Sequence, residues 1–267
     1  MGDRFAFGEG AIWAFSFGMN NTVARIDLDT NQVVATIPVD EFLQALAIGY
    51  GAVWVAGPGV TRIDPLTNTV SATIPVGTES ELNGVAAGAG SVWVSNGSEG
   101  IVYRIDPDSN QVSATIPVEL WPSQIATTQD AVWVTNLINP VLTRIDPQTN
   151  EIAAEIHLDC ATRRLAVDAT AVWVACENAP TLYRIDPLTN QIIARIAVSN
   201  HPSGVAISSK GVWVTSLTDN TLTLVDPETN QVVTVYQVGP GPVDVVAVQD
   251  DLWIVMSGED SLWRIKP

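Results

Sequence analysis

Seven segments of this chain share one landmark, an aliphatic residue followed by tryptophan: AIW (Trp13), AVW (Trp54), SVW (Trp93), AVW (Trp133), AVW (Trp173), GVW (Trp213) and DLW (Trp253). Successive landmarks lie 41, 39, 40, 40, 40 and 40 residues apart. Around each one, short runs rich in Val, Ile and Thr alternate between apolar and polar residues, and helical 3.6-residue periodicity is absent. A period near 40 built from short strands predicts an all-β chain, a seven-bladed β-propeller with one small sheet per repeat. The whole span 1–267 reads as a single domain.

Repeat four shows the internal grammar. Residues 123–127, 131–135, 141–146 and 151–158 read as four strands, here called a to d, ordered from the propeller axis to its rim. Applied to every repeat, this gives about 27 strands, because the last repeat stops at strand c with Leu262-Trp263-Arg264-Ile265. The final blade is therefore expected to have three strands. Its open edge near Trp263 could pair with another chain, so the expected state is a monomer or a weak edge-mediated oligomer.

Between strands c and d stands a recurring turn: DLDTN (27–31), DPLTN (64–68), DPDSN (106–110), DPQTN (146–150), DPLTN (186–190) and DPETN (226–230). Asp caps such a turn through its side chain, Pro presets φ, and Asn tolerates the left-handed conformation that ends it. Only the first Asp of each turn is a carboxylate in a fixed place, which is turn chemistry rather than a metal-ligand set, and no metal site is assigned. The arginine before that Asp (Arg25, Arg62, Arg104, Arg144, Arg184, Arg264, with Leu224 the exception) reads as an interblade ion pair or a stem packed along the sheet. The landmark tryptophans read as core.

Composition limits the partners. Twelve basic residues stand against 29 acidic ones, a net charge of −17. A chain so charged lacks the basic stripe that nucleic acid requires, and no nucleic-acid partner is expected. No run approaches the roughly 18 apolar residues of a membrane helix, so membrane insertion is not expected either. The start has no basic-then-apolar leader and resembles a trimmed domain edge or a processed terminus.

The pattern GAVWVxN…RIDPxTNxVxATIPV resembles the YVTN-type bacterial propeller repeats and the virginiamycin B (streptogramin) lyase superfamily over nearly the whole chain. The resemblance implies the propeller fold. For the lyases it also implies a Glu-Pro-His-Gly type d–a loop, a glutamate just beyond a landmark strand, and Mg²⁺-assisted elimination on a cyclic depsipeptide. Here the nearest loop is His201-Pro202-Ser203-Gly204, with His for Glu and Ser for His. Ser216 and Leu217 follow Trp213, and Glu177 is the only glutamate at an equivalent position. The catalytic pattern is not matched.

In a repeat protein, departures from the repeat are where function is sought. In propellers of this type the d–a and b–c loops meet around one mouth. Residues nine to twelve before each landmark and three or four after it should line that mouth. Arg4, Arg163 and Arg164 map there, as do Trp121, Glu177 and His201, with Asp3, Ser16, Phe17 and Glu81 among the other positions. Aromatic, guanidinium and imidazole groups together suit recognition of a protein, peptide or small polar ligand. The candidate site is therefore Trp121, Arg163, Arg164, Glu177 and His201 on neighbouring blades four to six. The expected function is a non-catalytic binding scaffold with no cofactor. A metal-assisted lyase or hydrolase is the alternative, and a purely structural module, designed or excised, is a third.

Pairing strands a and b of blade five across 168–170 sets Val167 against Val172 and Leu165 against Val174. Continuing, Arg163 falls opposite Cys176, with Cys160 three residues further on. Cys160 and Cys176 are then within reach of a disulfide if the loop curls inward, or else they are two unpaired thiols. A bridge would imply an oxidising compartment, and the expected location is extracytoplasmic.

Overall fold

The computed structural model describes residues 5–15, 21–39, 42–77 and 82–267. They form 27 strands and no helix, arranged in six four-stranded antiparallel sheets and a last sheet of three, a seven-bladed β-propeller. Each four-stranded sheet runs a-b-c-d in chain order, as in blade four (Pro122–Thr127, Val132–Asn136, Val141–Asp146, Glu151–His157). Two compact units divide the chain: Met1–Asn136 with Thr143–Glu155, and Leu137–Leu142 with Ile156–Pro267.

Strand b explains why the landmark recurs. Both of its faces are buried, which is why it reads as a continuous apolar run, as in Ala52–Ala56. Strand d, by contrast, alternates and is largely exposed. The tryptophan fills the space between one sheet and the next. In the first unit, Trp54 packs with Val85, Val92 and Val94 of the following blade, and Trp93 with Ile125, Val132, Val134 and Ile145. In the second, Trp173 meets Val205, Val212 and Val214, and Trp213 meets Val245, Leu252 and Ile254.

The c–d turns follow their sequence. In all six, the Asp Oδ1 accepts N–H bonds from the residues two and three further on, as Asp106 does from Asp108 and Ser109 at 3.1 and 2.8 Å. Those donated N–H groups hold the Asp27, Asp64, Asp106, Asp186 and Asp226 carboxyls below the ordinary aspartate range. The closing asparagines sit in the left-handed region, with φ between 55° for Asn31 and 62° for Asn150.

In four repeats the recurring arginine reaches the next blade, with neutral rather than acidic partners, whereas Arg264 pairs with Asp251 of its own blade at 2.6 Å. Arg104 Nη1 donates to the Pro147 carbonyl (2.7 Å) and to Asn150 Oδ1 (2.8 Å) of the following turn. Arg25 treats Pro65 and Asn68 the same way, Arg62 treats Pro107 and Asn110, and Arg184 treats Pro227 and Asn230. The guanidinium also lies over its own landmark ring, 5.1 Å from centroid for Arg104 on Trp93. One arginine thus joins the core of its blade to the turn of the next. Leu224 precedes blade seven, where Lys266 stands in the place of the turn aspartate. There the Pro267 oxygen accepts from Lys210 Nζ instead, a lysine supplied by the a–b turn of blade six.

Candidate recognition loops

Backbone hydrogen bonds place the d–a and b–c loops of a blade side by side. The N–H four residues after the landmark donates to the carbonyl twelve before it: Glu177 to Ala161 at 3.1 Å, Leu217 to His201 at 2.9 Å, and Ser257 to Gly241 at 2.8 Å. Antiparallel order puts the a–b and c–d turns at the opposite end of each blade.

Strand a of blade five, Thr162–Val167, carries a β-bulge that the pattern did not disclose. Val167 pairs with Val172 and Leu165 with Val174, as alternation predicts. The register then shifts between Thr162 and Arg164, so Thr162, not Arg163, lies opposite Cys176. Arg163 is the extra residue, and a bulge re-aims the side chain it carries. Blades six and seven shift at the same place, between Pro202 and Gly204 and between Pro242 and Asp244.

The bulge separates the two arginines. Arg163 is half-buried and its Nη1 meets Glu177 Oε1 at 2.8 Å, joining the d–a loop to the b–c loop. Arg164 is buried at 4% exposure, so it does not line an open surface as the sequence suggested. Its Nε donates to the Ser203 carbonyl at 3.1 Å, and its Nη2 stands 3.5 Å from Asp244 Oδ2. Asp244 is equally buried, and its Oδ1 accepts the Val245 N–H at 3.0 Å. Arg164 and Asp244 both stand nine residues before a landmark, and Asp244 is the only acid at that position, which is the sequence signal of the pair.

His201 is half-buried with a left-handed backbone, φ 54°, and the neighbouring Asn200 is tied through N and Nδ2 to Asp219 at 2.8 and 3.0 Å. Cys160 and Cys176 are joined as a disulfide, Cα to Cα 5.7 Å. Beside them a cleft of about 260 Å³ is lined by Asp159, Tyr183 and Arg195. Asp159 Oδ2 accepts from the Tyr183 hydroxyl at 3.1 Å and pairs with Arg195 at 3.2 Å. Sequence reading passed over Arg195 because it lies on strand d, outside the loop positions.

In the first unit, Trp121 is partly exposed (37%) with φ 68°, and its N–H donates to the Gly97 carbonyl at 3.0 Å. A side chain added at Gly97 would lie 3.3 Å from the Trp121 ring and 2.3 Å from Asn83 Nδ2, so glycine there admits the indole. Two residues on, Glu99 accepts the Tyr103 hydroxyl at 2.5 Å. Burial, and then that carboxylate, push the phenol up to about 12. Phe42, also twelve before a landmark, has φ 62° and is 76% exposed. Asp3, Arg4, Ser16, Phe17 and Glu81 lie outside the described residues. Among the described residues, no three His, Cys, Asp or Glu side chains converge into a metal-type donor set.

No protein-family model and no curated protein matches this chain. Its likeness is to solved structures. A streptogramin B lyase is 16% identical with a TM-score of 0.84, over 97% of this chain and 91% of that one. A hydrazine synthase of Kuenenia stuttgartiensis is 14% identical at 0.81, over 97% and 92%. A chain of a mitotic checkpoint complex is 12% identical at 0.87, over 99% and 87%. A lyase, a synthase and a checkpoint assembly share this scaffold, and at such identities the likeness establishes the β-propeller fold alone.

Proposed function

We propose that this chain is a non-catalytic binding propeller of YVTN-like repeat grammar, recognising a protein, peptide or small polar ligand through its d–a and b–c loops. The surface in the second unit comprises Arg163, Glu177 and His201, with Arg164 positioning it from beneath. Trp121 is the corresponding residue of blade four. One observation carries this reading. Twelve residues before their landmarks, Phe42, Trp121 and His201 hold bulky rings on a left-handed backbone, where blade seven has Gly241. A left-handed non-glycine residue costs on the order of 1–3 kcal/mol and persists where the surroundings impose it, commonly at functional sites. The c–d turns meet the same backbone demand with asparagine every time.

Binding is favoured over elimination because Glu177, the glutamate nearest the lyase pattern, is engaged by Arg163. The Ala variant of Trp121, Arg163 and His201 should keep the parent melting temperature within a few degrees. It should recover at least about ten-fold less partner from the source extract, the loss expected when such anchors are truncated. Equal recovery by both proteins defeats the proposal. Saturable Mg²⁺ binding that Glu177→Ala abolishes would favour the lyase reading instead.

The Cys160–Cys176 bridge supports an extracytoplasmic location, where disulfides persist. Denatured, unreduced protein should therefore show no titratable thiol. Two thiols per chain would remove the argument.

A further inference from the structure

Strand d of blade five, Ile192–Ala197, departs from the repeat at two positions on one face. Tyr183 of strand c pairs there with Arg195, where blades one, two and three have Thr36, Thr73 and Thr115. Thr181 pairs with Ala197, where blades one and three have Pro38 and Pro117. A cation thus replaces a hydroxyl, and a methyl replaces a proline ring. The tyrosine is engaged differently as well. In blade three the Tyr103 hydroxyl goes to Glu99 of the same blade's b–c loop, whereas Tyr183 turns to Asp159 of the d–a loop.

These departures meet at the cleft of about 260 Å³ beside the disulfide. Its apolar lining is the Cys160–Cys176 bridge, Ala179, Ile196 and Ala197. Its polar lining carries opposite charges. Arg195 Nη2 stands 3.2 Å from Asp159 Oδ2, and its guanidinium lies 5.6 Å from the Tyr183 ring centroid. Tyr183 is buried, and its hydroxyl accepts the Asp159 N–H at 3.3 Å and donates to Oδ2 at 3.1 Å, which fixes the acid in place. Neither charge is fully committed. A guanidinium has five N–H donors, and Asp159 Oδ1 accepts no hydrogen bond among the described residues. Both side chains are exposed, so their mutual pairing contributes little to stability and a ligand can reach each of them.

We infer that this cleft binds a free α-amino acid with a small aliphatic side chain, its carboxylate on Arg195, its ammonium on Asp159 and its side chain against the apolar lining. A lone anion would meet the Asp159 carboxylate 3.2 Å from its partner, and a lone cation would meet Arg195. A zwitterion satisfies both, because a single carbon separates its carboxylate from its ammonium. Size agrees with this choice. Drug-sized ligands occupy roughly 300–1,000 Å³, and this cleft is smaller. Alanine, isoleucine and a disulfide offer an aliphatic side chain contact but no polar partner. The inference does not rest on the loop-face reading, since neither Trp121, Arg163 nor His201 lines the cleft, and its occupancy is measured without any macromolecular partner.

The test is calorimetric titration of the intact protein with L-valine, for which saturable binding is expected. N-acetyl-L-valine lacks the ammonium and L-valinamide lacks the carboxylate. Each should bind about ten-fold more weakly or worse, since each forfeits a charge-assisted hydrogen bond. Arg195→Ala and Asp159→Asn should weaken L-valine binding to a similar degree. Both should keep the parent melting temperature within a few degrees, because both side chains are exposed. The blocked ligands keep the test valid on the unaltered protein if either variant is unstable. No saturable binding of L-valine, or undiminished binding by Arg195→Ala, overturns the inference. So does equal binding of either blocked form, and for the N-acetyl form it would reassign the cleft to a carboxylate such as a peptide C-terminus.

Discussion

Trp93→Ala should lower the unfolding free energy by about 3–5 kcal/mol, the cost of emptying a large aromatic site in a close-packed core. Trp93 is fully buried and packs against Ile125, Val132 and Val134 of the next blade, so the cavity opens between two sheets and neither can collapse into it freely. Its Nε1 donates to the Gly88 carbonyl at 3.0 Å, and that acceptor would lose its partner. The effect also travels. Arg104, stacked 5.1 Å from the ring, holds the blade-four turn through Pro147 and Asn150, and without the indole its guanidinium loses the surface that orients it. Urea unfolding should show a lower midpoint at an unchanged slope. A loss under about 1 kcal/mol would show that the landmark is not the element joining neighbouring sheets.

Asp244→Ala should be comparably severe, about 3–5 kcal/mol, for an electrostatic rather than a volumetric reason. Arg164 and Asp244 are both about 5% exposed as side chains and 3.5 Å apart. Removing the carboxylate takes one counter-charge from a guanidinium that is out of water, and exposing it would require strand a of blade five to move. The double variant Arg164→Met, Asp244→Leu should recover much of the loss, because an apolar pair of similar volume carries no charge to desolvate. A double variant no more stable than Asp244→Ala would mean that the side chains' volumes, and not their charges, determine the stability there.

The architecture was legible because its signals are local and repeated. Strand b is buried on both faces and so reads as an apolar run. The turn Asp and Asn reveal themselves by backbone demands that few other residues meet. The site was legible only as a set of positions. Alternation assigns a side to each residue, but a bulge inserts one residue that alternation cannot see, which displaced Arg163 from Cys176 and sent its neighbour Arg164 inward. The recurring arginine looked like half of an ion pair, yet the acceptors of Arg25, Arg62, Arg104 and Arg184 are a prolyl carbonyl and an asparagine oxygen from the next repeat, brought close only by the stacking of blades; only Arg264 meets an acid, Asp251 of its own blade, among the partners described. The strain at Phe42 and Trp121 had no marker in those residues. Only Gly241, at the same position of another repeat, hinted at the backbone they share.

Amide hydrogen exchange of the captured complex tests most directly the claim that recognition lives in the loops that depart from the repeat. Protection gained on binding should fall on residues 119–124, 159–164, 176–180 and 199–204, and the Asp-Pro-x-Thr-Asn turns at the opposite end of each blade should exchange as in the free protein. Protection confined to those turns or to the fourth strands, with the loops unchanged, would contradict the account.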